Sequence, residues 1–555
     1  MDPTERTDDP TTRPAWGLVV LLVLGVLWFT LLGHRDLNEP DEGRYAEIPR
    51  EMLASGDWLT PRLDGFQYFE KPPLHYWATA ALFRLLGTEA GTSRLWGALM
   101  GFIGIVWVIR VGSRLFGPAA GWYAGLILSS LFLYATMGHF NTLDMSTSVW
   151  LTLGMGALLL GHARREEEPA LCRTYMLLGW AALAGACLSK GIIGLLLPAA
   201  TLLLYSLWQR DWALWRHLHL GWGLLLFLAL TAPWVVGVSQ VNAEFAHFFF
   251  IHEHLERYTS TVHGRTGQPW YFLGVLLLGS VPWTHRVLVV LLRPGFSWSR
   301  GAGGFDPVRL LWVYVVFILG FFSISQSKLI PYILPLFPPL ALLLGRHLAQ
   351  TGTLAVGWET RLLAILAGLL VAGGIHVELF VDNRHPPEML LAARPWLLGA
   401  AAVLAVAVGI SLWRRCQGGM ALSVLVVSTL LTVQLVAWGA QVFSPSNSSR
   451  QAAQAITALG DAKTPVYGVN CYFQSLPFYL GRTITLVHFQ GELAFGIRQE
   501  PAQWIANTAL FKQRWLQENQ AAAVFRREDF APWRASGLPM RVIHEDPRRV
   551  VVARR

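Results

Sequence analysis

The chain has 555 residues, of which 53% are hydrophobic and only 14% charged, and it carries 25 tryptophans. Soluble proteins hold about 25% charged residues, so this composition excludes an ordinary soluble domain and points to an integral membrane protein. The formal charge of +9 needs no nucleic acid to explain it, because cytoplasmic loops of membrane proteins are basic; no nucleic-acid partner is expected.

The segment Met1–Pro14 is polar and carries both charge signs. The apolar run 15–33 that follows is long enough to span a bilayer, and no small-residue cleavage site succeeds it, so it reads as an uncleaved signal anchor. A polar island then occupies 34–92, with Asn38-Glu39-Pro40-Asp41-Glu42-Gly43-Arg44-Tyr45-Ala46-Glu47 at its start and Phe69-Glu70-Lys71-Pro72-Pro73-Leu74 in its middle. Its charges sit among Trp, Tyr, Phe and Pro rather than Ser and Gly, the mark of a packed loop. The apolar stretch Pro73–Gly87 contains Arg84 and, at about 22 Å as a helix, is short of a roughly 30 Å hydrocarbon core. It reads as an interfacial helix; as a span it would invert every later loop.

Twelve further apolar runs follow, at 93–113, 118–136, 143–162, 174–189, 191–208, 218–238, 270–291, 308–325, 330–349, 361–380, 395–413 and 420–443, for thirteen spans in all. Arg110 and Arg114, Arg164 and Arg165, Arg210 and Arg216, Arg293 and Arg300, Arg346 and Arg361, and Arg414 and Arg415 fall in alternate connections. The positive-inside rule makes that side cytoplasmic. The loop 34–92, the loop 239–269 and the tail 444–555 then share the opposite, periplasmic face. The tail reads as a small α/β domain with a helix at Gln451–Leu459, a strand at Val466–Val469 and closing strands at Val542–Ile543 and Val550–Ala553; it shows no recognisable chemistry. The fold class is thus an α-helical polytopic membrane domain (1–443) with a C-terminal α/β periplasmic domain (444–555). The four cysteines, Cys172, Cys187, Cys416 and Cys471, fit no metal motif. Only Cys471 lies on the periplasmic side, so no internal disulfide is expected.

Ionisable residues at a membrane boundary are functional candidates by default, and many converge on this face. Asp41, Glu42, Arg44, Glu70 and Lys71 lie in the first loop; Asp144, Lys190 and Lys328 lie in short turns; the 239–269 loop brings His247, His252, Glu253, His254, Arg257 and Tyr258. Taken singly, Asp144 reads as a helix cap and Lys190 and Lys328 as snorkelling lysines. Together they suit a phosphate-bearing lipid: arginine and lysine neutralise phosphate, and a carboxylate orients an acceptor or stabilises a cationic sugar. No G-x-x-x-x-G-K-[ST] loop is present, so no nucleotide is expected. A transporter would show inverted repeats with broken helices at mid-membrane, and none is visible.

The stretch from Pro40 to Glu47, with Phe69-Glu70-Lys71-Pro72-Pro73-Leu74-His75-Tyr76-Trp77, resembles the bacterial lipid A aminoarabinose transferase family, of GT-C fold and related to protein O-mannosyltransferases. Asp144, Ser189-Lys190-Gly191, Glu253-His254-Leu255-Glu256-Arg257 and Ser327–Pro335 extend the likeness over most of the membrane region. The resemblance implies thirteen spans, interfacial helices in the first loop and a periplasmic C-terminal domain. It implies a donor of undecaprenyl phosphate carrying 4-amino-4-deoxy-L-arabinose and a lipid A phosphate as acceptor in the inner membrane. A protein or another envelope glycan is the alternative acceptor, and a monomer is expected. Among the residues, Asp41, Asp144 and Glu42 would be the catalytic carboxylates. Arg44, Lys71, Arg257, Lys190 and Lys328 would serve the donor phosphate, and Tyr45, Tyr68 and Tyr332 the donor cavity. The family further implies a divalent metal, zinc in type, at Glu70 and His254, against the plain alternative of a Glu70–His254 salt bridge.

Overall fold

The structure is a computed structural model, and it describes residues 14–249, 267–296, 298–299, 301, 303–351, 357–413 and 418–554. Helix α1 (Pro14–Phe29) enters from the N-terminus and α2 (Asp41–Ser55) and α3 (Leu74–Leu86) fold the first loop. Then come α4 (Ala90–Phe116), α5 (Pro118–Ser130), α6 (Phe132–Met137), α7 (Leu143–Ala163), α8 (Pro169–Lys190) and α9 (Ile193–Gln209). Among the described residues nine helices are long and apolar enough to cross a membrane, from α4 to the last at Met420–Asn447, and Gly17–Phe29 and Ile193–Gln209 are shorter apolar helices. The runs expected at 118–136 and 270–291 are not single helices. Leu131 leaves the helical region between α5 and α6, and the second run is split into Tyr271–Gly279 and Thr284–Leu292. Thirteen crossings therefore require the two short and the two interrupted segments in addition to the nine. The bundle interior is apolar and continuous, with Trp28, Tyr134, Trp283 and Tyr314 fully buried in it.

The first loop is a built platform. Between its two helices a hairpin pairs β1 (Arg62–Leu63) with β2 (Phe66–Gln67). The turn is Asp64-Gly65, both at positive φ, the dipeptide and geometry that match the twist of a tight hairpin. Helix α2 is buried along most of its length, including the charged Glu42, Arg44, Glu47, Arg50 and Glu51. Buried charge is tolerated only when paired, and these residues are. Arg50 grips Glu47 through two bonds of 2.5 and 2.6 Å. Glu51 accepts the hairpin-turn amides of Asp64 and Gly65 at 2.5 and 2.9 Å. Asp64 in turn accepts from the Ile484 amide at 2.8 Å, which ties the loop to the tail.

The tail forms a five-stranded mixed sheet in the order β4-β3-β5-β7-β6, with β3 (Val466–Val469), β4 (Thr485–Val487), β5 (Ala522–Arg526), β6 (Met540–Glu545) and β7 (Arg549–Arg554). Strand β3 runs parallel to both neighbours, and β5, β7 and β6 are antiparallel. Alternation along the strands gives the sheet two apolar faces. One presents Tyr467, Phe525, Val550 and Val552 to Phe511, Trp515 and Trp533. The other presents Val466, Val524 and Val551 to a core that includes Tyr45, Ile48, Met52, Phe66 and Tyr68 of the first loop. The tail and the first loop thus share one hydrophobic core. Cys471 is buried in it, where burial pushes its thiol up to about 12.

At Gly43 the tail backbone comes directly against α2. A Cβ there would lie 2.5 Å from the Ser475 amide nitrogen and 2.8 Å from the Gln474 carbonyl carbon, both rigid backbone. Gly43→Ala is therefore expected to push the tail off α2 at a cost of roughly 1–3 kcal/mol, seen as a lower melting temperature of the detergent-purified protein with membrane insertion unchanged.

Candidate functional site

A cavity of about 270 Å³ lies where α2, the segment after β2, the start of α7, the end of α8, the 329–332 turn and the tail converge. Asp41, Arg44 and Tyr45 line it from α2, an i, i+3, i+4 set on one helix face. Glu70 and Lys71 come from the motif that precedes α3, Asp144 from the first turn of α7, and Lys190 from the last residue of α8. The helix ends carry the charges they favour: an acid at the positive N-terminus of α7 and a base at the negative C-terminus of α8. Leu329 and Tyr332 close one side. Gln474, Phe489 and Glu492 close another from the tail.

Three ion pairs, made by two cations, organise the interior. Lys190 Nζ meets Asp144 Oδ1 and lies 5.1 Å from the centre of the Tyr332 ring. Arg44 bridges two carboxylates, with Nη1 2.8 Å from Asp41 Oδ1 and Nη2 2.5 Å from Glu492 Oε2. Gln474 Nε2 donates to Glu492 Oε1 at 2.6 Å. Burial raises the Tyr45 phenol, and nearby Asp41 adds to this, so Tyr45 stays a hydrogen-bond donor. Burial also pushes the Glu492 carboxyl above its ordinary range; Arg44 and Gln474 oppose this, whereas Glu70 and Asp41 reinforce it.

Three expected site residues stand elsewhere. Glu42, placed with the catalytic carboxylates, is turned away from the cavity and buried. Its Oε1 accepts from Arg94 Nε at 2.7 Å and the Asn141 amide at 3.0 Å, and its Oε2 from Arg94 Nη2 at 2.9 Å and the Asn38 amide at 3.0 Å. One position from Asp41 along a helix is a rotation of about 100°, enough to carry Glu42 out of the cavity. Burial opposes its ionisation, but Arg94 and Arg35 hold it down to about 2. Lys328, placed with the phosphate cations, donates from Nζ to the carbonyls of Phe322, Ser323 and Ser325 at 3.0, 2.7 and 2.7 Å. These are carbonyls at the end of the Pro307–Ile324 helix, which have no intrahelical donor. The ammonium caps a helix, while its neighbour Leu329 lines the cavity. Tyr68, placed in the donor cavity, is 2% exposed in the core shared with the tail, behind Arg44.

Arg257 and His254 lie outside the described residues. Of the expected metal pair, only Glu70 can be located, and among the described residues no three His, Cys, Asp or Glu side chains gather as metal ligands. Glu70 by itself does not supply the donor set that zinc takes.

The sequence reading missed Arg94, His75 and Asn141 as supports. Arg94 donates to the Leu32, Arg35 and Asp36 carbonyls as well as to Glu42. Asn141 Oδ1 meets His75 Nε2 at 2.9 Å, and burial lowers the His75 imidazole to about 4, so the ring is neutral. Glu42 and Asn141 thereby fix the start of α7, and Asp144 with it, against α2. The reading also assigned no chemistry to the tail, and this is corrected by Gln474, Phe489 and Glu492. No local motif marks them; a lone acid between the apolar Phe489 and Leu493 was the one signal in the sequence.

Comparison with known proteins bears on this architecture. Residues 17–249 match the family described as dolichyl-phosphate-mannose-protein mannosyltransferase, and residues 452–554 match the aminoarabinose transferase C-terminal domain. A Pseudomonas aeruginosa protein named undecaprenyl phosphate-alpha-4-amino-4-deoxy-L-arabinose arabinosyl transferase is 30% identical over 509 residues, covering 87% of each chain. The chain belongs to the aminoarabinose transferase family. A family member of the same name from Shewanella sediminis is 29% identical over 539 residues, covering 92% of this chain and 93% of the other. The crystal structure of ArnT from Cupriavidus metallidurans bound to undecaprenyl phosphate superposes with a TM-score of 0.88 at 34% identity, over 97% of this chain and 98% of that one. An Archaeoglobus fulgidus oligosaccharyltransferase, 11% identical with a TM-score of 0.51 over 93% of this chain and 69% of that one, shares the fold alone. The fold of this family member is therefore GT-C, in a multi-pass membrane protein with a small C-terminal sheet domain.

Glu42 supplies a test of the supporting layer. Its folded value near 2 lies below the ordinary 4.5, so its stabilising contribution is complete above about pH 4.5 and is lost as pH falls toward 2. Glu42→Gln, which leaves Arg94 buried without its partner charge, is expected to cost about 3–5 kcal/mol at neutral pH. In thermal melts against pH, the gap between wild type and variant should narrow as pH falls through that window.

Proposed function

We propose that this chain transfers 4-amino-4-deoxy-L-arabinose from undecaprenyl phosphate to a phosphate of lipid A, with inversion at the anomeric carbon, on the periplasmic face of the inner membrane. The family supplies the glycosyltransferase class and the undecaprenyl-phosphate donor. The observation that carries the reading is the gathering of Asp41, Arg44, Asp144 and Lys190 from three helix ends into one cavity in an otherwise apolar bundle. The alternating arginine pairs favour a periplasmic opening.

An acceptor phosphate oxygen attacks the anomeric carbon as the bond from that carbon to the donor phosphate oxygen breaks. Undecaprenyl phosphate leaves with the bonding pair and gains one negative charge, and the acceptor phosphate loses one. No proton transfer is required, so the site needs no strong base. Asp41, on the cavity face of α2, stabilises positive charge that develops on the sugar. Lys71 and Lys190 meet charge that develops on the departing phosphate, and Arg257 joins them in this proposal. Lys190 also holds Asp144, and Tyr45 and Tyr332 shape the walls. A divalent metal on Glu70 and His254 remains a separate proposal, tested by metal analysis of the purified protein and of Glu70→Gln.

Replacing Asp41 by Asn should lower transfer by at least about 100-fold and leave binding of undecaprenyl phosphate within about threefold. Full activity in that variant would remove Asp41 from the mechanism. Product masses from purified protein, defined donor and lipid A decide the acceptor; sugar on a protein or another glycan, with none on lipid A, would overturn that part.

A further inference from the structure

We propose that Glu492, steadied by Gln474, receives the 4-amino group of the donor sugar as its ammonium and selects an amino sugar over a neutral one; this rests on the donor reading above.

The first support is charge balance. Asp41, Asp144 and Glu492 face the cavity with Arg44 and Lys190. Lys190 is matched with Asp144. One guanidinium, that of Arg44, serves both Asp41 and Glu492. That trio carries one negative charge in excess, and a ligand cation at Glu492 would balance it. The amine at C4 is the cationic group of this donor.

The second support is geometry. Arg44 takes one Glu492 oxygen and Gln474 the other, at 2.5 and 2.6 Å. A carboxylate has about four acceptor sites on its two oxygens, so these bonds fix its plane and leave lone pairs for a ligand. The Glu492 side chain is 14% exposed, and it borders the cavity rather than bulk water. Phe489 stands beside it as an apolar wall.

The third support is the origin of the residues. Asp41, Arg44, Tyr45, Glu70, Lys71, Asp144 and Lys190 all fall within residues 17–249, matched to the mannosyltransferase family. Gln474, Phe489 and Glu492 fall within residues 452–554, matched to the aminoarabinose transferase domain. Mannose is neutral. The shared part holds what the two chemistries have in common, the anomeric centre and the lipid phosphate. The extra carboxylate arrives with the part whose family handles an amino sugar.

The test is a competition assay. Purified protein in lipid nanodiscs is given lipid A and equal amounts of two undecaprenyl-phosphate donors, one with the 4-amino sugar and one with L-arabinose, which carries a hydroxyl at C4. Wild type is expected to prefer the amino donor by roughly 100-fold in kcat/KM, and Glu492→Gln to bring the ratio within about threefold by losing amino-donor transfer while keeping hydroxyl-donor transfer. Glu492→Asp, which keeps the charge, should keep a preference. The ratio within one reaction is independent of how much variant folds. A 4-acetamido donor, which has no cation, should be rejected by wild type as the hydroxyl donor is, and this arm needs no variant. Equal losses for both donors in Glu492→Gln would make Glu492 only a strut for Arg44 and overturn the inference. A preference that survives in Glu492→Gln would also overturn it. Wild type that transfers none of the donors would overturn the donor reading itself.

Discussion

The guanidinium of Arg44 is the point on which the two ends of the chain meet. It lies on a helix that packs against the bundle on one side and the C-terminal sheet on the other, and it bridges Asp41 of that helix to Glu492 of the tail. The bridge ties the tail to that helix, and Gln474, Phe489 and Glu492 of the tail line the cavity. The cavity therefore exists as such only when the tail is docked. Membrane domain and sheet domain pack as one unit, joined by a common apolar core as well as by this bridge.

Behind the cavity a second set of pairs holds the first set in place. Arg94 binds Glu42 and three carbonyls of the connection before α2; Glu42 binds the Asn141 amide; Asn141 binds His75. This chain runs from α4 through α2 to the turn before α7 and on to α3. It sets the distance between Asp41 and Asp144 without touching a ligand. The adjacent acids Asp41 and Glu42 thus divide the work: one faces the cavity, the other anchors the helix that presents it. Lys328 shows the same division at another site, since its ammonium secures a helix end whose neighbouring turn forms the cavity wall.

The charge pattern explains why such a site sits at a bundle edge. Lipid phosphate, sugar and acceptor must all reach one place from the membrane, and the helix termini there offer both signs of charge at fixed positions. Asp144 and Lys190 use the ends of α7 and α8 in the sense each dipole favours. The pair is then pre-organised by the bundle rather than by loops.

Much of this was legible in the residues. Apolar periodicity and low charge marked the membrane domain, because hydrocarbon demands long uninterrupted runs. The clustering of Asp41, Arg44, Glu70 and Lys71 among aromatics marked a packed polar loop, and those four line the cavity together with Asp144, Lys190, Tyr45 and Tyr332. The α/β tail was legible in part from its short apolar runs at Val466–Val469 and Val550–Ala553. Only the tertiary structure decided which charges face the cavity. Composition cannot tell a carboxylate that faces a cavity from one that meets a buried arginine, and Glu42 beside Asp41 is the plainest case. Nor could local sequence bring Gln474 and Glu492 to the cavity. Contacts between positions so far apart arise from the packing of the sheet on α2, at the glycine that lets the backbones touch, and no periodic pattern along the chain encodes them.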